Sequence, residues 1–247
     1  MAENPILKRY LKQTSFVSEE DFRENFKLLI PKNFNFAYDV VDAWAEETPN
    51  KTALIWTNDE GEEYRLSFCD LKKESDQAAS YLHTIGINRG DMVMLIEKRR
   101  LEWWITMLAL HKLGAVPIPA THMLTSHDIV YRCNAASVKA IICVGESYVL
   151  GEVQKAMPES PTVESLVSIG PLVPEGFHDW HAEIGKAPTF RRPRSRTPRR
   201  WQSRGFLRLF LPFLSRQTTQ PNTDFSLLFH SIARHHHVLH IPEVNQS

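Results

Sequence analysis

Cysteine is scarce in this chain. Its 247 residues contain three, Cys69, Cys133 and Cys143, widely spaced, odd in number and with no C-x-x-C pair. That pattern supports neither a disulfide framework nor a zinc knuckle, and the simplest reading is a reducing compartment. Long apolar runs are missing as well: no stretch approaches the ~18 residues of a membrane span, and the opening MAENPILKRYLKQTSF lacks the apolar centre of a secretory signal. The expectation is a cytoplasmic protein. No internal repeat stands out, and the length leaves room for one large domain, or one domain with an appendage.

Lysine is absent after Lys186, and the last 62 residues hold one glycine, Gly205. The overall balance of 29 basic and 29 acidic residues therefore hides a split. Residues 1–184 carry 18 Lys and Arg against 27 Asp and Glu, a net of −9, whereas residues 185–247 carry 11 against 2, a net of +9. Two compositions meet near Gly185.

The first composition has a regular rhythm. Glu63, Arg65 and Ser67 alternate with Tyr64, Leu66 and Phe68, the period of a half-buried strand, and with ALIW at 53–56 and the turn residues 58–61 they predict a hairpin. Ser67 and Asp70 have the S-x-x-D spacing of a helix start, repeated by Thr125 and Asp128. Leu71, Ala78, Ala79 and Leu82 share a helical face ending at Gly86. Apolar runs at 92–96, 115–118, 141–144 and 165–169 alternate with helical segments at 101–113, 125–136 and 146–156. Uninterrupted apolar strands between amphipathic helices predict an open α/β fold, a mostly parallel sheet covered on both faces. After about Pro188 this rhythm stops.

Several side chains are candidates for function, and each has a plainer reading. Glu102, Trp103 and Trp104 suit a ligand platform or, at helical spacing, a core or interface. His111 and His122 flank the short strand at 115–118 and either face a cleft or fill space. His178 and His181 bracket Asp179, and HHHVLH at 235–240 adds four imidazoles; a structural metal site needs a defined tetrahedral set with supporting partners, which this spacing does not supply. No metal-binding, catalytic or cofactor-binding residue is assigned.

Six strings, in order, carry a resemblance: NFAYDVVDAWAE (35–46) with TALIW (52–56), LSFCDL (66–71), RGDMVMLI (89–96), EWW (102–104), KLGAVPIPAT (112–121) and DIVYRCN (128–134), fading after PEGFHDWH (174–181). The chain resembles the N-terminal part of the AMP-forming acyl-CoA synthetases, in the acetyl-CoA and medium-chain branch of the adenylate-forming superfamily. The resemblance implies an α/β subdomain at about 33–170 within a partial AMP-binding domain at 33–188, preceded by a helical extension at 1–32. It implies a parent activity too: ATP and Mg²⁺ activate a carboxylic acid, of short or medium chain, as an acyl-adenylate, and the acyl group passes to CoA.

That chemistry needs a Gly/Ser/Thr-rich loop whose backbone N–H groups approach the triphosphate, with a lysine beside it. The family's loop, T-S-G-T-T-G-x-P-K, occurs nowhere in this sequence. Where it is due stands RRPRSRTPRRWQSR, seven arginines in fourteen residues, followed by GFLRLFLPFL (205–214). Because losing one donor to a developing oxyanion typically costs ~3 kcal/mol, a chain missing the whole loop is expected to be inactive. The tail at 189–247 then reads as the product of a shifted reading frame, in which Arg, Ser, Pro and Leu are favoured by their many codons. The rival reading is a non-catalytic α/β domain whose basic arm binds nucleic acid or an anionic surface.

Overall fold

The computed structural model describes residues 6–188, 190 and 192. They fall in two compact units that divide between Phe34 and Asn35. In the first unit, helix α1 (Leu7–Tyr10) leads into a loop that contains α2 (Glu19–Asn25) and is closed by antiparallel pairing of Leu11 with Leu28. Ser18 caps α2 by accepting from the Asp21 N–H at 3.1 Å. Phe22 meets the rings of Phe16 and Phe26, each at 5.0 Å.

The second unit opens with a π-helical turn at Ala37–Asp42 that runs into α3 (Ala43–Glu47). Then come an antiparallel hairpin of β1 (Thr52–Thr57) and β2 (Glu63–Ser67), and α4 (Phe68–Thr84). The remaining elements are β3 (Met92–Ile96), α5 (Leu101–Leu113), β4 (Val116–Pro119), α6 (Ser126–Ala136), β5 (Val138–Val144), α7 (Ser147–Ala156), β6 (Ser165–Ile169), β7 (His178–Asp179) and α8 (Trp180–Ile184). The five strands from β3 to β7 form one wholly parallel sheet in the order β4-β3-β5-β6-β7. The expected α/β class and parallel sheet are therefore present. The pair β7 and α8, and the π-helical turn, had no counterpart in the sequence reading.

Local chemistry sets most boundaries. Ser67 with Asp70 and Thr125 with Asp128 form complete capping boxes, each side chain satisfying the other's backbone N–H; such a cap is worth about 1 kcal/mol. At the other end of α5, Gly114 takes φ 77°, a left-handed conformation that would crowd a Cβ. Helix α4 stops at Thr84 with Ile85 as its cap, and Gly86 follows at φ 92°.

Strand periodicity divides the core. Met94, Ile96, Ile141 and Cys143 pack with Ile129, Cys133, Val149 and Val153 of α6 and α7; Val93, Leu95, Ala140 and Ile142 alternate to the opposite face, and all four are fully buried. There α5 is buried from Ile105 to Leu113 and packs along α4. A helix apolar on nearly every side has to lie between layers. Its one lysine, Lys112, has a side chain with no exposed surface. Lys112 Nζ reaches Asp76 at 2.6 Å and Asp42 at 2.9 Å, and Lys72 holds the other oxygen of Asp76 at 2.7 Å. This network ties the π-helical turn to α4 and α5.

Candidate functional site at the carboxyl ends of the parallel strands

In an open parallel sheet the connections leave from the carboxyl edge, and where they diverge to opposite sides a crevice opens between two neighbouring strands. Here the chain passes from β3 to β4 on one side and from β5 to β6 on the other, so the crevice lies between β3 and β5. Residues 97–100 leave β3 at this point and residues 145–146 leave β5. Lys98 sits in the left-handed region at φ 53°, uncommon for a residue with a Cβ. Its ammonium spans the crevice to both oxygens of Glu146, at 2.5 and 2.7 Å.

Behind this clasp lies Glu97. It is 1 % exposed, and neither carboxylate oxygen has a hydrogen-bond donor. The nearby Thr106 hydroxyl donates instead to the Glu102 carbonyl, at 2.7 Å. Burial, helped by the negative charge of Glu102, pushes the Glu97 carboxyl well above the ordinary carboxylate range, with Arg100 opposing. Cys143, on the adjacent strand, is pushed up to about 12, by burial first and by Glu97 second. Both shifts disfavour the charged form, and the Cys143 thiol is no nucleophile at neutral pH.

The far side of the crevice is shaped by glycine. A Cβ on Gly145 would stand 2.7 Å from the Leu172 carbonyl oxygen and 2.9 Å from Ser168 Oγ, which itself donates to that carbonyl at 2.6 Å. The loops after β5 and β6 are thus pressed together by backbone contact. Around this edge Met123, Tyr148, Leu172 and Val173, each following the carboxyl end of a parallel strand, leave apolar surface exposed.

The remaining candidates are placed individually. Glu102 opens α5, where Arg100 grips its carboxylate through two nitrogens at 3.1 and 3.2 Å and His181 lies 3.2 Å away. Trp103 and Trp104 are half-buried and meet edge to face at 5.0 Å. His111 is buried near the end of α5, where desolvation lowers its pKa to about 4, so it is neutral; His122 is exposed in the loop after β4. The two do not converge. His178 pairs with Glu183 at 3.1 Å, Asp179 caps α8 through the Ala182 N–H at 3.0 Å, and His181 turns to Glu102. Among the described residues no group of three or more His, Cys, Asp or Glu side chains is arranged to hold a metal ion, and no helix is long and apolar enough to cross a membrane. The imidazoles at 235–240 and all of the Arg-rich segment except Arg192 lie outside the described residues. Sequence reasoning missed Glu97 and the Lys98–Glu146 clasp; a charged residue directly after the apolar run MVMLI was the available signal.

These residues do not fit a magnesium–nucleoside triphosphate. Lys98 is paired with Glu146, Glu97 is buried with its carboxyl held well above the ordinary range, and the loop chemistry that cradles phosphates is absent from the sequence.

A family model described as "AMP-binding enzyme" matches residues 41–202. The human mitochondrial acyl-coenzyme A synthetase ACSM4 is 36 % identical over 157 residues, which is 61 % of this chain and 26 % of that protein. Human mitochondrial ACSM3 is 40 % identical over 134 residues, 52 % of this chain and 23 % of the relative. The chain spans about a quarter of the length of these relatives. In fold it is similar to the anthranilate CoA ligase AuaEII, solved with anthranoyl-AMP, at a TM-score of 0.61 and 24 % identity over 69 % of this chain and 31 % of that one. An acyl-CoA synthetase from Brucella canis superposes at 0.56, with 24 % identity over 65 % and 29 %.

Proposed function

The chain belongs to the AMP-binding enzyme family, and on that premise we propose that it is the N-terminal α/β part of an ATP-dependent, AMP-forming carboxylate–CoA ligase, inactive on its own. The observation that carries the reading is the ordered match, 162 residues long, laid on a parallel sheet whose carboxyl edge offers a scaffold without phosphate-binding chemistry. In the parent enzyme ATP, Mg²⁺, CoA and a short or medium carboxylic acid are the reactants, and the acid is first joined to AMP. What these residues contribute is structural: β3 to β6 set the edge, Gly145 lets two of its loops meet, and the Lys98–Glu146 clasp closes the crevice between β3 and β5.

The inactivity has a direct test. Carboxylate-dependent ATP–pyrophosphate exchange is expected to stay at background for the purified chain across acids of two to twelve carbons; exchange above background with any of them overturns it. The shifted-frame origin of the tail has another. Translating the DNA that encodes it, and the DNA beyond, in the other two frames is expected to give S-G-T-T-G-x-P-K, and its absence from every frame refutes that origin. The rival role, a basic arm on a non-catalytic domain, predicts salt-dependent retardation of nucleic acid or retention on anionic vesicles, lost when residues 189–247 are removed. A cytoplasmic location completes the reading, and imaging of the tagged chain in its own cells checks it.

A further inference from the structure

The Arg-rich segment begins inside the folded unit. Helix α8 is fastened to the α4–α5 layer by Trp180, which is 2 % exposed and meets the Tyr81 ring edge to face at 5.8 Å, and by His181 on Glu102. The Lys186 N–H donates to the Glu183 carbonyl at 3.0 Å, and the Ser80 hydroxyl of α4 donates to the carbonyl of Pro188. The chain is thus led along α4 towards the π-helical turn. At its end the guanidinium carbon of Arg192 stands 3.9 Å from the centre of the Tyr38 ring.

Tyr38 is held for this contact. Its hydroxyl donates to the Lys112 carbonyl at 3.1 Å, so the ring presents a fixed face. The charges around the ring are Asp42 and Asp76, Lys72 and Lys112, and Arg192. The two lysines already balance the two aspartates, and the Lys112 ammonium stands 5.9 Å from the ring centre; what draws Arg192 into its closer contact is the ring face, on which a planar, weakly hydrated guanidinium stacks.

We propose that the Tyr38 face is an intramolecular guanidinium-binding site occupied by Arg192, which makes Arg192 part of the folded domain. This goes beyond the ligase reading and bears on how far the domain reaches: to Arg192 rather than to residue 188.

The test uses the full chain labelled with ¹³C,¹⁵N-arginine. Arg192 side-chain resonances, assigned by their loss in Arg192→Ala, are expected upfield of random-coil positions through the ring current of Tyr38. They should remain there in Tyr38→Phe and return to random-coil positions in Tyr38→Leu. Arg192→Ala is expected to lower the folding equilibrium constant by about 2- to 5-fold, the range of an exposed cation–π contact, and Arg192→Lys to recover less than half of that loss. Random-coil shifts for Arg192 in the unsubstituted chain, or an unchanged folding constant in Arg192→Ala, overturn the assignment. Either failure leaves the ligase reading intact, because neither measurement depends on activity.

Discussion

Replacing Glu97 with Gln is expected to reshape how stability depends on pH. Glu97 is buried with both oxygens unpartnered, and burial, then the charge of Glu102, raises its carboxyl. An acid raised in the folded state keeps its proton longer than in the unfolded chain. Above the unfolded value of about 4.3, each pH unit therefore removes about 1.4 kcal/mol of stability for as long as the folded carboxyl stays protonated. His111 acts in the opposite sense. Burial lowers it to about 4, below an unfolded value of about 6.5, so the unfolded chain takes up the proton first and stability rises by about 1.4 kcal/mol per unit between those values. The two effects oppose each other where their ranges overlap, and above about pH 6.5 the His111 effect is complete. Glu97→Gln abolishes the Glu97 loss: the difference in unfolding free energy between variant and parent should grow with pH above about 4.3, by about 1.4 kcal/mol per unit for as long as the folded carboxyl keeps its proton. His111→Gln should show the complement, a decline beginning near pH 4.5. Urea unfolding followed by circular dichroism at half-unit steps from pH 4.5 to 8 measures both, and the other carboxylates drop out of the differences. Parallel pH profiles for Glu97→Gln and the parent would refute a buried, protonated Glu97.

Three further substitutions probe the frame around the crevice. Lys112→Met should cost about 3 kcal/mol or more, because it strands two partly buried aspartates; adding Asp42→Asn should recover part of the loss, and full additivity in denaturant would contradict the network. Gly145→Ala should cost about 1–3 kcal/mol, since its Cβ meets a backbone carbonyl at 2.7 Å rather than a movable side chain; an unchanged unfolding midpoint would show that the loops can part. Thr125→Ala should cost about 1 kcal/mol through loss of the cap, with hydrogen exchange quickening first at the amides of Ser126–Asp128, and Ser67→Ala should do the same at the start of α4.

How much of this was legible beforehand follows from the range of the forces involved. The capping boxes at Ser67 and Thr125, the stop at Gly114, and the spans of β3, α5 and β6 could be read directly, because each depends on hydrogen bonds or steric limits within a few residues. Strand β7 could not: it is two residues long, His178–Asp179, and exists as a strand because β6 offers it an edge. The π-helical turn was equally silent, since its geometry is tied to Lys112 some seventy residues away. Trp103 and Trp104, candidates for a ligand platform, are placed by helix packing, and His111 and His122, which flank one short strand, end in a core and in a loop.

The α/β class, the parallel sheet and the family were set by the order of short apolar runs and by motif strings that any continuous stretch of chain displays. The crevice, by contrast, is a property of strand order, which arises when β5 pairs with β3 rather than with β4 and brings residues 97–98 beside 145–146. Burial is likewise decided by what packs above a side chain. In sequence Glu97 is one more charge after a strand and Arg192 one more arginine in a run; tertiary structure buries the first, raising its carboxyl well above the ordinary range, and seats the second on a tyrosine ring.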